Sequence, residues 1–147
     1  VNTLGVFNAL QAGLSLLDTT GTPSVVVVTS NAAKVPRAGL GAYCASKAAA
    51  EAIARVAGLE YSSRGVRVNC VAPGSTRTKM LYETVGQLTD DQIIDGNPRD
   101  FRLGIPLTRI AEPEDIARVV MFLTSESARN ITMQSFTVDG GATLGVQ

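Results

Sequence analysis

The sequence predicts an α/β fold, in which a parallel β-sheet carries helices on both faces. Helix-like and strand-like segments alternate along the 147 residues, and this alternation implies right-handed crossovers between parallel strands. The run SVVVVTS has the length of a strand and shows no polar alternation, as expected for a strand buried on both faces. Valine, alanine, leucine and glycine dominate the composition, which is typical of parallel sheets packed by helices.

The first two elements are expected to be a helix over residues 1–18 and a strand over 24–30. Apolar residues of the first segment recur at helical spacing and are expected near one face: Val1, Leu4, Leu10, Leu14 and Leu17. The cluster TTGTP is rich in turn-forming residues and separates the helix from the strand. Because the strand lacks polar alternation, we expect it to lie at the centre of the sheet.

A long helix and a second strand are expected next. Residues 31–41 are expected to form a loop. The Ala-rich segment 42–62 favours a helix, and the residues SRG at 63–65 provide its end. The segment VRVNCVA at 66–72 then predicts a strand.

From Pro73 to about Gly104 the regular pattern is interrupted by scattered Gly, Pro, Asn and Asp. A loop of this length in a compact domain is usually a lid or a binding segment, and we expect short helices inside it near 79–85 and 89–94. A proline near the first position and acids in the first turn predict another helix over 112–125. The segment SFTVDGG predicts the last strand.

Composition excludes several functional classes. Thirteen basic and thirteen acidic residues give a net charge of zero, so neither nucleic acid nor a membrane is expected as a partner. No run approaches the roughly 20 apolar residues of a membrane-spanning helix. The chain has no histidine, which excludes a His-based triad or metal site, and no metal is expected. Cys44 and Cys70 lack metal-ligand spacing and a disulfide framework, which favours a reducing compartment and predicts a cytoplasmic protein.

A candidate catalytic group lies where the strands end. Tyr43 and Lys47 occupy positions i and i+4 of the long helix, and Ser30 ends the first strand, at the sheet edge where ligands bind in such folds. A free tyrosine has a pKa of about 10, and a neighbouring ammonium lowers this value towards that of a useful general base. A serine hydroxyl can hold a substrate oxygen in line with the phenol. The set suits proton removal from an alcohol while hydride leaves, and this implies a nicotinamide cofactor.

Each of these residues also has a simpler interpretation. Tyr43 and Lys47 alone could be an incidental surface pair, and Ser30 could cap a strand or a turn. Thr76 and Thr78, which follow the second strand, could cap a helix of the lid.

The chain resembles the short-chain dehydrogenase/reductase family over essentially its whole length. The matching segments are VNTLGVFN with Asn2, VVVVTS with Ser30, YCASK with Tyr43 and Lys47, VNCVAPGSTRT, and VDGG near the end. The resemblance implies the carboxyl-terminal portion of a doubly wound, Rossmann-type parallel sheet, because the family's TGxxxGxG phosphate loop and NNAG strand end are absent. We therefore expect residues 1–147 to be the catalytic and substrate-binding portion of a single longer domain.

The resemblance also implies a role for each site residue. Tyr43 would be the catalytic acid/base, Lys47 would bind the nicotinamide ribose and acidify the phenol, and Ser30 would position the substrate oxygen. Asn2 would hold a water in a proton relay past Lys47, with an ordinary mid-helix asparagine as the alternative. The loop after the second strand would surround the nicotinamide with these residues: Pro73, Gly74, Ser75, Thr76 and Thr78.

Longer segments resemble one branch of the family, the dihydrodiol-carboxylate dehydrogenases of catechol siderophore synthesis. They are TSNAAKVPRAGLGAYCASKAA, RLGIPLTRIAEPEDIA and ITMQSFTVDGGATLGV. This branch implies NAD, with NADP as the alternative, and a small alcohol or ketone substrate; the family implies a homotetramer. Arg37 is expected to bind the substrate carboxylate, with Arg77 and Arg102 as rivals and a solvated loop arginine as the alternative. A 3-oxoacyl carrier-protein reductase and a non-catalytic truncated subunit are the other two functions considered.

Overall fold

The computed structural model describes residues 2–146 as alternating helices and strands. In chain order these are α1 (Asn2–Leu16), β1 (Ser24–Val28), α2 (Gly41–Tyr61), β2 (Arg67–Pro73), α3 (Lys79–Val85), α4 (Asp90–Asp95), α5 (Pro113–Thr124) and β3 (Ser135–Val138). Short 3-10 turns lie between several of them. The expected order of elements is confirmed, and the two short helices lie inside the segment after β2, as predicted.

The three strands form a parallel sheet in the order β1-β2-β3. The central strand is β2, whose residues are almost all buried. Within the described residues β1 pairs with β2 alone and Val28 is 50% exposed, so in this portion of the sheet β1 is an edge strand, and its central position in the whole domain stays a prediction. The strand also ends at Val28, two residues earlier than expected.

Helices cover both faces of the sheet. On one face, α2 packs against β2 and α1 packs beside α2, and together they share a core that includes Leu10, Ala54 and Val68. On the other face, α5 packs through Ile116 and Leu123. Because successive side chains of a strand point to opposite faces, β2 contributes to both layers. This arrangement confirms the predicted α/β class.

The apolar face of α1 is narrower than the sequence pattern indicates. Leu10 and Leu14 are buried, and Leu17 packs against the same core just after the helix. Leu4 is 71% exposed, so its expected place on this face is wrong. Six residues separate Leu4 from Leu10, which is about 240° of rotation in an α-helix, whereas Leu10 and Leu14 differ by only about 40°. Val1 lies outside the described residues.

The segment between β2 and α5 has its own small core. Ile93, Ile105 and Ile110 are buried together, and α3 contributes Leu81 and Val85. We call residues 79–110 the lid segment. It is therefore a folded unit and not an open loop.

None of the helices within residues 2–146 combines the length and the apolar character that crossing a membrane requires.

Candidate active site

Tyr43 and Lys47 lie one turn apart near the start of α2, against the carboxyl end of β1. The Lys47 Nζ atom is 5.9 Å from the centroid of the Tyr43 ring, within the range of a cation–π contact. The same atom donates a hydrogen bond to the Val28 carbonyl oxygen at 3.2 Å. Burial lowers the pKa of the Lys47 ammonium. The structure thus holds a phenol and a half-buried ammonium side by side at the end of a strand.

Ser30 lies two residues beyond the end of β1 and is buried. Its Oγ atom accepts a hydrogen bond from the backbone N–H of Ala32 at 3.1 Å and so caps a 3-10 turn over Asn31–Ala33. The capping interpretation is therefore correct, but it uses only an acceptor position of the hydroxyl. The O–H proton remains available for donation to a substrate oxygen.

Asn2 contacts the helix that carries the candidate pair. Its Nδ2 atom donates a hydrogen bond to Ser46 Oγ at 3.1 Å, and Ser46 lies between Tyr43 and Lys47 in the sequence. Ser46 Oγ in turn donates to the Tyr43 carbonyl oxygen at 2.8 Å. The start of α1 is thereby held beside the first turn of α2, and the proposed water relay through Asn2 stays a prediction.

The loop after β2 begins with a close approach between two strand ends. Pro73 ends β2, and the Gly74 N–H donates to the Val138 carbonyl oxygen at 2.9 Å. A Cβ atom at Gly74 would lie 2.5 Å from the Asp139 Cβ atom and 3.3 Å from the Asn31 Nδ2 atom. Only glycine fits here, because its backbone packs directly on these two side chains.

The rest of this loop is tied to the lid segment and to the chain after it. The Ser75 carbonyl oxygen accepts a hydrogen bond from Ala111 N–H at 3.1 Å, and Thr76 forms an isolated β-bridge with Ala111. The Thr76 hydroxyl donates to the carbonyl two residues earlier at 3.2 Å, so it caps no helix. The Thr78 hydroxyl accepts from Leu81 N–H at 3.3 Å and caps α3, as the simpler interpretation holds. Their contacts with a nicotinamide stay predictions.

Arg37 lies in the loop between Ser30 and α2 and is half-buried. Its Nη2 atom donates a hydrogen bond to Asn31 Oδ1 at 3.0 Å. Burial, and after it the like charge of Arg102, lower the pKa of Arg37. No carboxylate within residues 2–146 forms an ion pair with Arg37. The charge of Asp139 acts on the Arg37 pKa in the opposite direction, but a half-buried guanidinium without an ion-pair partner among the described residues still favours the binding of an anion.

The two rival arginines differ in their surroundings. The Arg77 side chain donates to Glu112 Oε1 at 2.8 Å, to Tyr82 Oη at 2.8 Å and to Asp90 Oδ2 at 2.5 Å. The bonds to Asp90 and then to Glu112 raise the pKa of Arg77. The three bonds together join the loop after β2 to α3, α4 and the start of α5. Arg77 thus uses its donors to hold the lid segment. Arg102, in contrast, is close enough for its charge to lower the pKa of Arg37.

Two buried residues beside the predicted site, Asn31 and Asp139, were not expected from the sequence. The Asn31 Nδ2 atom donates to Asp139 Oδ2 at 3.2 Å. Burial raises the pKa of Asp139, but hydrogen bonds from Thr143 and Asn31 and from backbone N–H groups outweigh it, and the pKa lies below its usual value. The sequence indicates them only through their positions, because each residue follows the carboxyl end of a strand.

Two cavities lie away from these residues. A cavity of about 520 Å³ is bounded by Lys34, Arg55 and residues 133–137 along the outer edge of β3, and one of about 270 Å³ lies beside it. No predicted catalytic residue lines either of them. The segments that carry the phenol, ammonium, hydroxyl and guanidinium groups follow or contact the carboxyl end of β1, the edge at which ligands bind in such folds, so a site at this edge stays a prediction. Within the described residues, no group of three His, Cys, Asp or Glu side chains could hold a metal ion.

Comparison with known proteins places this geometry in a family. A family model described as enoyl-(acyl carrier protein) reductase matches residues 1–143. The vibriobactin-specific 2,3-dihydro-2,3-dihydroxybenzoate dehydrogenase of Vibrio cholerae is 46% identical over 145 residues, which cover 98% of this chain and 55% of that protein. The chain thus spans about half the length of the curated relatives it matches.

Solved structures agree with the fold. A 7α-hydroxysteroid dehydrogenase complexed with NADH and 7-oxo glycochenodeoxycholic acid superposes with a TM-score of 0.84 at 26% identity, over 100% of this chain and 55% of that one. A short chain dehydrogenase/reductase family protein superposes with a TM-score of 0.78 at 36% identity, over 95% of this chain and 53% of that one. The α/β sheet described above is a partial Rossmann fold, and the chain belongs to the short-chain dehydrogenase/reductase family.

Proposed function

We propose that the protein is a nicotinamide-dependent dehydrogenase that oxidises 2,3-dihydro-2,3-dihydroxybenzoate to 2,3-dihydroxybenzoate in siderophore biosynthesis. The observation that carries the proposal is the Lys47 ammonium against the Tyr43 ring at the end of β1, with Ser30 two residues beyond that end. The name of the Vibrio cholerae relative supplies the substrate class.

In this proposal the protein's own groups handle the proton. Tyr43 takes the proton of the substrate hydroxyl as that oxygen becomes a carbonyl oxygen. The hydroxy-ketone so formed then tautomerises to the catechol, as the remaining carbinol carbon loses its C–H proton and the carbonyl oxygen gains one. Lys47 places its positive charge beside the Tyr43 ring that accepts the hydroxyl proton. Ser30 donates its O–H to the same substrate oxygen and sets its position. A bound nicotinamide supplies the acceptor for the hydride of the carbinol C–H bond.

The residues present fit the nicotinamide half of such a cofactor. Lys47 uses one N–H donor for Val28 and keeps two more for ribose hydroxyls. The loop after β2 follows the same edge of the sheet. Its Gly74 N–H and Ser75 carbonyl groups already bond Val138 and Ala111, so the N–H groups of Ser75 and Thr76 are the further partners that it offers. We propose NAD as the cofactor, since the superposed hydroxysteroid dehydrogenase carries NADH. A higher kcat/KM with NADP than with NAD would contradict this choice.

The first experiment replaces the proposed base. In the intact protein, Tyr43→Phe should lower kcat by at least about 100-fold, the usual contribution of a general base, with the Kd of the cofactor changed little. The matched control is Tyr61→Phe at the far end of α2, where the phenol packs against the core, and it should retain kcat. Turnover of the Tyr43 variant within a few-fold of wild type would refute the assignment.

The second experiment tests the substrate carboxylate. Arg37→Leu should raise the KM for the diol carboxylate by tenfold or more, because a hydrogen-bonded charge pair is lost. Arg64→Leu is the control, since Arg64 precedes the amino end of β2 at the opposite edge of the sheet. An unchanged KM in the Arg37 variant would remove Arg37 from the substrate site.

A second candidate function is reduction of an acyl carrier-protein thioester, because the matching family model is described as a carrier-protein reductase. A substrate panel separates the two functions. Oxidation of the diol carboxylate with NAD supports the dehydrogenase, whereas reduction of a ketoacyl or enoyl thioester with NADPH supports the reductase. Failure to bind either dinucleotide would support a non-catalytic subunit.

We also propose a homotetramer. Apolar side chains of α5 and of the carboxyl-terminal segment are exposed, among them Met121 at 70% and Leu144 at 72%. Exposed apolar patches on a protein surface often mark the sites where subunits associate. Light scattering coupled to size-exclusion chromatography should give four copies, and a monomer would overturn the proposal.

A further inference from the structure

Asn31 is buried between two charged side chains that lie on different parts of the chain. It is only 2% exposed. Its Nδ2 atom donates to Asp139 Oδ2 at 3.2 Å, and its Oδ1 atom accepts from Arg37 Nη2 at 3.0 Å. A side-chain amide has one donor end and one acceptor end. The orientation of this amide therefore decides whether Arg37 meets an acceptor or a donor.

Asp139 sets that orientation. Its Oδ2 atom also accepts from the Thr143 N–H at 3.1 Å and hydroxyl at 2.7 Å, and its Oδ1 atom accepts from Gly141 N–H at 2.9 Å. An ionised carboxylate is an acceptor only. It can therefore bind only the donor end of the Asn31 amide, which leaves the acceptor end for Arg37.

The network has little space in which to rearrange. The Gly74 backbone packs so closely that an added Cβ atom would lie 2.5 Å from the Asp139 Cβ atom. Arg37, Asn31 and Asp139 thus form a chain of hydrogen bonds from the end of β3 to the loop that follows β1. The far end of this chain is anchored in the turn over residues 139–143.

We propose that Asn31 is a positioning residue that presents the Arg37 guanidinium to the substrate carboxylate, and that Asp139 fixes the Asn31 amide for this purpose. The inference rests on the proposed function, in which Arg37 binds that carboxylate. It adds that two residues with no substrate contact determine the selectivity for acidic diols.

The experiment compares two substrates in the intact protein. One is the cyclohexadiene diol carboxylate, and the other is the same diol without the carboxylate. Asn31→Ala should raise the KM for the acidic diol about tenfold, since a hydrogen bond to a charged group is lost. The KM for the neutral diol should change less than twofold, and kcat should hold for both. Asp139→Asn should change the KM values in the same direction.

Thr143→Val is the matched control. It removes a hydrogen bond to Asp139 and leaves the contact with Asn31, so it should lower stability and keep the preference for the acidic diol. In the Asn31→Ala background, Asp139→Asn should add no further loss of preference, because the two residues act through one path. Circular dichroism establishes that each variant is folded. If Asn31→Ala or Asp139→Asn fails to fold, Asn31→Ser replaces it, and the same rise in the KM for the acidic diol is expected.

The outcomes separate this inference from the function on which it rests. If wild-type protein oxidises neither diol, the proposed function fails. If Arg37→Leu abolishes the preference while the folded Asn31 and Asp139 variants keep it, the function stands and the inference is wrong. Equal losses on both diols would also overturn it, because they indicate a purely structural role.

Discussion

Replacement of Gly74 by alanine tests how closely the strand ends pack at the site. The new Cβ atom would lie 2.5 Å from Asp139 Cβ and 2.9 Å from Asp139 Cα, whereas carbon atoms in contact are normally about 3.5–4.0 Å apart. An overlap of roughly 1 Å against backbone cannot be relieved by a side-chain rotation. Overpacking of this kind costs about 1–3 kcal/mol, and we expect the upper part of that range.

The assay is urea unfolding of the intact protein followed by circular dichroism, with the free energy of unfolding obtained by linear extrapolation. Gly13→Ala is the matched control. Gly13 lies inside α1, and nothing is within 4 Å of its added Cβ atom. Alanine there should stabilise the protein by roughly 0.5–1 kcal/mol. The same substitution should therefore have opposite signs at the two positions.

A Gly74→Ala variant within about 0.5 kcal/mol of wild type, the range of ordinary surface substitutions, would refute the close packing of these strand ends. It would also weaken the positional argument for Asn31 and Asp139, which depends on that packing.

Three further results are expected. Arg77→Met should speed hydrogen exchange in α3 and α4 and leave the global unfolding midpoint unchanged, because exposed ion pairs contribute little; unchanged exchange would be inconsistent with its three contacts. The pKa of Asp139 in the folded protein is lowered. The ionised carboxylate therefore stabilises the fold above the unfolded-state pKa of about 3.9, and this stabilisation is lost as the pH falls through the folded-state pKa. Thr143→Val should reduce this acid sensitivity in urea titrations between about pH 2 and 5, and an identical profile would count against the network. Burial, with a smaller effect of Glu51, raises the pKa of Cys70 to about 12, so iodoacetamide should label half-buried Cys44 first; equal labelling by peptide mass spectrometry would contradict this.

The helices were predictable where their signals are local. The long helix expected over 42–62 is found at Gly41–Tyr61, and the 3-10 turn that follows it ends at Gly65, which has a φ of 74°. The helix expected over 79–85 is found at Lys79–Val85, capped by Thr78. Such caps and turn residues bond to backbone groups within one turn of the chain, so the local sequence is enough to predict them.

The place of β1 in the sheet was not predictable in this way. Its apolar run indicates a buried strand, yet burial depends on which other strands pair with its two edges. Among the described residues, one edge is paired with β2. The exposure of Leu4 has a related cause, because the sequence shows an apolar residue but not which side of α1 meets the sheet.

The sequence by itself determined the class of fold, the order of the elements and the candidate residues Ser30, Tyr43 and Lys47, because periodicity, turn residues and motif spacing are properties of neighbouring positions. Only the tertiary structure decided the partners of the buried polar groups. Asn31 and Asp139 are 108 positions apart, and their contact exists because parallel pairing brings the ends of β1, β2 and β3 to one edge. Hydrogen bonds between such distant residues depend on the register of the sheet, which no local pattern specifies.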